Sequence, residues 1–271
     1  MLRFSILTVL CCLLGLSTAL RAQSTDTFRV ERVIGERLLD FTVDPLGNIL
    51  IVGPQYQIKK LRANGDSVGV FNDVRKYGKL TYIDASNPLK ILLYYRDFAT
   101  IVVLDRFLAV RNVTDLRMLG VFLCRAIGQS FDNAIWVYDE QEAVLKRFQD
   151  DGKLIDQSND FRQLFDPVPV PQSIHDQDKR VFLYDPEKGW YVFDYFGTLQ
   201  SQSAWKGWTD VQVMGGSCWG RQGEKLYRYT PGTLQVQEQQ LSKELAGVSK
   251  VQVGNRKLYC LRAGQLFVYT Q

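Results

Sequence analysis

The chain has 271 residues, 46% of them hydrophobic and 12% aromatic, with a formal net charge of +4. That apolar content supports a large core and excludes a disordered chain. Charged residues are mixed in sign with no Lys/Arg cluster, so the footprint of a nucleic-acid-binding protein is missing.

Met1 to Ala22 reads as an export signal peptide, with Arg3 as its positive start and Ile6 to Leu16 as its apolar core. That core is too short for a membrane-spanning helix. Small residues place the cut at Ala22–Gln23, although Leu20, three before it, fits the pattern imperfectly. A lipoprotein anchor at Cys11 or Cys12 fits poorly, because Leu10 stands where a small residue is wanted. The expectation is a signal peptide over 1–22 and a single domain over 23–271, located in the periplasm and not integral to a membrane. Cys124, Cys218 and Cys260 remain, too few and too distant for a disulfide framework. Cys218 and Cys260 fall in neighbouring repeats and could pair; burial as small hydrophobes is the favoured reading.

Beyond the leader, one pattern recurs. A first run ends in a polar turn, as in DFTVDPLG at Asp40. A second, apolar run follows, rich in β-branched and aromatic residues: NILIVG at Asn48, KILLYY at Lys90, AIWVYD at Ala134, RVFLYD at Arg180, SCWGRQ at Ser217 and KLYCLR at Lys257. Aligned on Val43, Ile83, Ile127, Ile174, Val213 and Val253, the units are spaced by 40, 44, 47, 39 and 40 residues. That is the period of a four-stranded propeller blade. Third runs end mostly in tight turns such as Asn64-Gly65-Asp66 and Asp151-Gly152. Fourth runs, such as LQSQSA and VQEQQLS, are polar, as outer edge strands should be.

Blade two is the least regular, with no Gly at its third turn. Val113 to Leu123 and Ser158 to Phe165 have room for one or two helical turns each. Asp166 to Pro171 (DPVPVP) is an extended connector. The last unit, Val248 to Gln271, holds three runs and stops. The segment Thr27 to Ile34 (TFRVERVI) supplies the missing one. The expected fold is therefore all-β: a six-bladed β-propeller whose last blade is closed by the N-terminal strand, Phe28 to Ile34. A seven-bladed ring and a pair of β-sandwiches are alternatives; the steady period disfavours the sandwiches.

Candidate chemistry is sparse. Inner-strand turns offer Asp40, Asp44, Asp84, Gln129, His175, Asp176 and Asp210. Oxygen ligands among them suit calcium, with Asp44, Asp84 and His175 as the candidate metal set. The plainer reading is that Asp44 and Asp84 cap turns. His175 is the sole histidine, and no Gly-x-Ser-x-Gly elbow accompanies it, so a Ser-His-Asp hydrolase is unsupported. Trp205, Lys206 and Trp208, in the loop SAWKGWTD, are expected to be exposed and are the candidate binding residues. Blade-to-blade packing is the favoured reading for the aromatic residues here, with binding as the alternative.

With six anchors, an export signal and an Ala-Gln junction, the chain resembles the six-bladed, NHL-like propellers of the Bacteroidota periplasm over Thr27 to Gln271. The resemblance implies a propeller that docks on outer-membrane export machinery, such as that of the type IX secretion system, or a metal-dependent sugar lactonase or lyase. The enzymes' inner-strand Glu/Asn/Asp ligands are replaced in blades five and six by Val213, Met214, Val253 and Gly254. The expected function is a non-enzymatic periplasmic scaffold, without a cofactor, that binds another protein such as an outer-membrane translocon. The alternatives are the calcium-dependent enzyme and a carbohydrate-binding module using Trp205 and Trp208.

Overall fold

A computed structural model describes residues 29–270. The expected leader, and Phe28 of the expected closing strand, lie outside them. Among the described residues, the strands form six four-stranded antiparallel sheets, each in simple up-and-down order. The first blade holds β2 (Asp40–Val43), β3 (Ile49–Val52), β4 (Ile58–Leu61) and β5 (Ser67–Phe71). The second holds β6 (Tyr82–Asn87), β7 (Lys90–Tyr95), β8 (Thr100–Asp105) and β9 (Val110–Asp115). The third holds β10 (Cys124–Gln129), β11 (Ile135–Asp139), β12 (Val144–Phe148) and β13 (Leu154–Gln157). The fourth holds β14 (Ser173–Gln177), β15 (Arg180–Asp185), β16 (Gly189–Asp194) and β17 (Leu199–Ser203). The fifth holds β18 (Thr209–Met214), β19 (Ser217–Gln222), β20 (Lys225–Tyr229) and β21 (Val236–Gln240).

The sixth blade is composite. It joins β22 (Lys250–Gly254), β23 (Lys257–Arg262) and β24 (Gln265–Thr270) to β1 (Arg29–Ile34), in the order β1-β24-β23-β22. Val33 pairs with Phe267 and Ile34 with Leu266. The expected closure is therefore observed over Arg29–Ile34. The fold is the six-bladed propeller read from the repeat, and the seven-bladed and sandwich alternatives fall away.

Each apolar anchor is the second strand of its blade, flanked on both sides by neighbouring blades. This is why ILIV in β3 and KILLYY in β7 are buried at every position. Six apolar clusters result, one in each gap between blades. Phe41, Ile49 and Leu61 of the first blade pack on Tyr259, Leu261 and Val268 of the sixth, sealing the ring. No blade buries both its faces alone, and closure removes the two raw faces an open row would expose.

Polar bonds repeat the stitching. Gln212 and Gln252 occupy the same repeat position. The Gln212 amide donates to the Val253 carbonyl and accepts from its N–H, at 2.9 and 3.1 Å. Lys60 reaches the Pro88 carbonyl, Lys90 the Asn133 carbonyl, and Gln177 accepts from the Gly216 N–H, each one blade on.

Strand alternation divides the turns. Those joining first to second and third to fourth strands open on one side of the ring, the hairpin side. Second-to-third turns and blade-to-blade connectors open on the other, the connector side. Hairpin-side turns carry Gly65 and Gly152 at φ 98° and 88°, a conformation that costs other residues strain. The two stretches with room for helical turns hold one 3₁₀ turn each, Leu116–Leu119 and Phe161–Gln163; in the first, Val113 to Asp115 completes β9. Cys124, Cys218 and Cys260 are all free and buried. Burial pushes the Cys124 and Cys260 thiols up to about 12. Among the described residues no helix is long and apolar enough to cross a membrane.

Candidate functional site

On the hairpin side, an apolar side chain stands in five of the turns of blades one to four: Leu46, Leu89, Phe107, Phe131 and Phe196. Each is more than half exposed, and Phe196 is 95% exposed. Leu234 extends the row into the fifth blade. Exposed large apolar residues are ordinary when scattered and informative when aligned on one surface.

The backbone beneath these tips is fixed. Asp44 accepts from the Leu46 N–H at 3.0 Å, Asn87 from the Leu89 N–H at 3.0 Å and Asp105 from the Phe107 N–H at 2.8 Å. Asp194 accepts from the Phe196 N–H at 2.9 Å, and Asp176 from the Phe131 N–H at 3.3 Å. Asp44, Asp105 and Asp194 each accept a second N–H two residues further on, from Asn48, Ala109 and Thr198. The Thr198 and Phe196 N–H groups hold the Asp194 carboxyl below the usual carboxylate range, so it stays charged at neutral pH. The backbone of each tip is thus held by a side-chain oxygen beneath it.

The seam between the third and fourth blades is the most elaborate part of this side. Phe131 stacks on Tyr195 with ring centroids 4.4 Å apart and planes 9° from parallel. The Tyr195 hydroxyl and the Trp136 indole both donate to Asp176, at 2.5 and 2.9 Å. The Arg147 guanidinium lies over the Trp136 ring at 5.2 Å. Asp176 therefore ties two blades together and fixes the Phe131 tip with the same carboxylate.

The residues singled out in the sequence are placed differently. Trp205, Lys206 and Trp208 lie in the connector from the fourth to the fifth blade, on the opposite side. Lys206 is exposed and Trp205 half-buried. The expected exposure of Trp208 is corrected: the side chain is only 5% exposed. Its ring stacks on Tyr227 at 5.5 Å and meets Trp190 edge-on at 6.4 Å, and the Trp208 backbone N–H donates to the Tyr184 hydroxyl at 2.6 Å. Gly220 makes this possible, because a Cβ there would come within 2.6 Å of the ring.

Asp44, Asp84 and His175 share one repeat position, each following an aligned strand residue, yet their bonds diverge. Asp44 is buried, caps its own turn, accepts from Asn48 Nδ2 at 2.7 Å and sits 3.6 Å from Lys60. Asp84 accepts from the Ser86 N–H at 2.8 Å and from the Gln129 N–H of the next blade at 2.7 Å. His175 is half-buried beside Trp190, with its Nε2 enclosed and without a protein partner. Burial pushes its imidazole down to about 4, against a weaker upward pull from Asp84. Among the described residues, no group of three or more His, Cys, Asp or Glu side chains could hold a metal ion. Asp40 and Asp210 are taken up by Lys250 and Arg221, at 2.7 and 2.6 Å.

The tips themselves carried a sequence signal, an Asp or Asn two residues before Leu or Phe. It recurs as Asp44-Pro45-Leu46, Asn87-Pro88-Leu89, Asp105-Arg106-Phe107 and Asp194-Tyr195-Phe196. In the sequence the first of these reads as a turn capped by Asp44, or Asp44 as a metal ligand, and Leu46 passes unremarked.

No protein-family model matches the chain, and no curated protein matches its sequence. Solved structures do. The WD40 domain of Pan2 from Neurospora crassa has a TM-score of 0.60 at 7% identity, over 90% of this chain and 95% of that one. Virginiamycin B lyase from Staphylococcus aureus has a TM-score of 0.58 at 13% identity, over 86% and 80%. PorZ, described as an essential bacterial surface component of the type-IX secretion system of Porphyromonas gingivalis, has a TM-score of 0.54 at 12% identity, over 88% of this chain and 30% of PorZ. At such identities the likeness is one of fold.

Proposed function

We propose that this six-bladed propeller is a non-enzymatic scaffold that binds another protein through its hairpin side. The observation that carries the reading is the row of apolar tips whose backbone N–H groups are held by Asp44, Asn87, Asp105, Asp176 and Asp194. Rigid, exposed apolar anchors suit docking, where preorganisation limits the entropy lost. The inner strands support catalysis less well, because Asp44 and Asp84 are engaged by backbone N–H groups and His175 stands apart from a ligand cluster.

The finer reading follows the leader and the periplasmic resemblance. The protein works in the periplasm, docked on an outer-membrane protein or export complex of the type IX kind. The fold shared with PorZ is compatible with that setting. The test is affinity purification of the tagged protein from its native membrane, beside a variant with Leu89, Phe131 and Phe196 changed to Ser. A stoichiometric partner is expected with the native protein and lost with the variant. Recovery of none, or equal recovery with both, would overturn the reading.

A further inference from the structure

The connector side holds a different feature. A cavity of about 280 Å³ opens between the first and second blades, where the connectors enter β2 and β6. Val52, Leu80 and Ile83 give it an apolar lining, and Val52 and Ile83 belong to the core beneath. Tyr56 completes the wall from the second-to-third turn of the first blade. Its backbone sits at φ 58°, in the left-handed region that glycine adopts without strain. Its ring packs against the core between the first two blades, which offsets the cost of that conformation and fixes the wall of the cavity.

The charges at the mouth are unequal. Asp40 is neutralised by Lys250, with Nζ 2.7 Å from Oδ1. Lys79 also lines the cavity, is exposed, and has no ion pair among the described residues. One uncompensated cation therefore stands beside a pocket of mixed lining, apolar at Leu39, Val52, Leu80 and Ile83 and polar at Asp40, Thr81 and Tyr82, the size of a single large side chain. We infer that this cavity is a binding site for an apolar carboxylate, with the hydrocarbon body against Val52, Leu80 and Ile83 and the carboxylate on Lys79. A free amphipathic acid and the C-terminus of a polypeptide ending in an apolar residue present the same chemistry. The site lies across the ring from the apolar tips, so it stands or falls independently of the docking reading.

The test is an NMR titration of the isotopically labelled protein with four probes. They are N-acetyl-leucine, N-acetyl-leucinamide, and the tetrapeptide Ala-Ala-Ala-Leu with a free or an amidated C-terminus. The acids are expected to shift the amide signals of Val52, Tyr56 and Lys79 at millimolar concentration, as befits a small ligand. Amidation, or Lys79→Met, should weaken binding about tenfold by removing one charge-assisted contact. Lys179→Met, on the hairpin side, should change nothing. Binding of both acids supports the site and admits a chain terminus, and binding of the free amino-acid derivative alone supports a small-molecule ligand. Signals at the cavity that do not move, or amides that bind as well as acids, would overturn the inference.

Discussion

Gln252 in the last blade holds Val43 in the first by two hydrogen bonds. Its amide oxygen accepts from the Val43 N–H and its amide nitrogen donates to the Val43 carbonyl, both at 2.9 Å. Residues 209 apart in sequence are thereby joined at the inner seam of the ring. Gln252→Leu removes both bonds and strands two backbone groups. A loss of about 1–3 kcal/mol is expected. Urea unfolding of the variant measures it, and Gln212→Leu at the neighbouring seam should cost a similar amount.

The outer seam of the same blade depends on β1. Its pairing with β24 is supported by an ion pair between Lys257 and Glu31 at 2.7 Å and by Ile34 packing on the closing cluster. Deleting Gln23 to Ile34 unpairs one edge of β24 and opens that cluster. The melting temperature should fall by about 10 °C or more, the shift a loss of several kcal/mol gives in a domain of this size. A truncated protein that melts with the full-length one would mean that β1 does not seal the ring.

Trp208 supplies a packing test. Gly220→Ala places a methyl group where the indole now sits, and the ring cannot move far because Trp190 and Tyr227 confine it. Overpacking of this kind costs about 1–3 kcal/mol. Tryptophan fluorescence should also change, as the strained indole shifts against Tyr227 and Trp190. An unchanged spectrum and stability would argue that the tryptophan is mobile and free for binding.

His175 gives the fold a pH dependence whose sign is fixed. Unfolded, the imidazole takes up its proton below about 6.5; folded, only below about 4. Between those values the unfolded chain binds more protons, so acid favours unfolding. The stabilising contribution is complete above about pH 6.5 and fades as the pH falls toward 4. His175→Asn removes that linkage and leaves the carboxylates unchanged. The stability gap between native protein and variant should shrink by about 1–3 kcal/mol from pH 7 to pH 4. Parallel stability curves would show that His175 is well solvated.

The repeat was legible because the second strand of each blade is buried on both sides, which forces KILLYY and RVFLYD to read as unbroken apolar runs. Closure was legible for a related reason. A blade of three strands leaves an unpaired edge, and only TFRVERVI was free to fill it. The site was far less legible. The burial of Trp208 depends on Gly220 in β19, the strand paired with the one Trp208 precedes, a cross-strand relation twelve residues apart that local sequence does not carry. Asp44 and Asp84 looked like ligands because a carboxylate near an inner strand can serve a metal or a backbone N–H equally well. The apolar tips were visible as letters, but a Leu or Phe in a turn acquires meaning only when five of them face one side with their N–H groups anchored.

The docking claim is tested most directly by site-specific photocrosslinking in cells. A photoreactive amino acid is placed singly at Leu89, Phe131 or Phe196 on the hairpin side, and at Met118 on the connector side as the control. Adducts with one and the same second polypeptide are expected from the three tips, and none with it from Met118. Adducts from Met118 alone, or no adduct from any tip, would contradict a scaffold that binds its partner through the hairpin side.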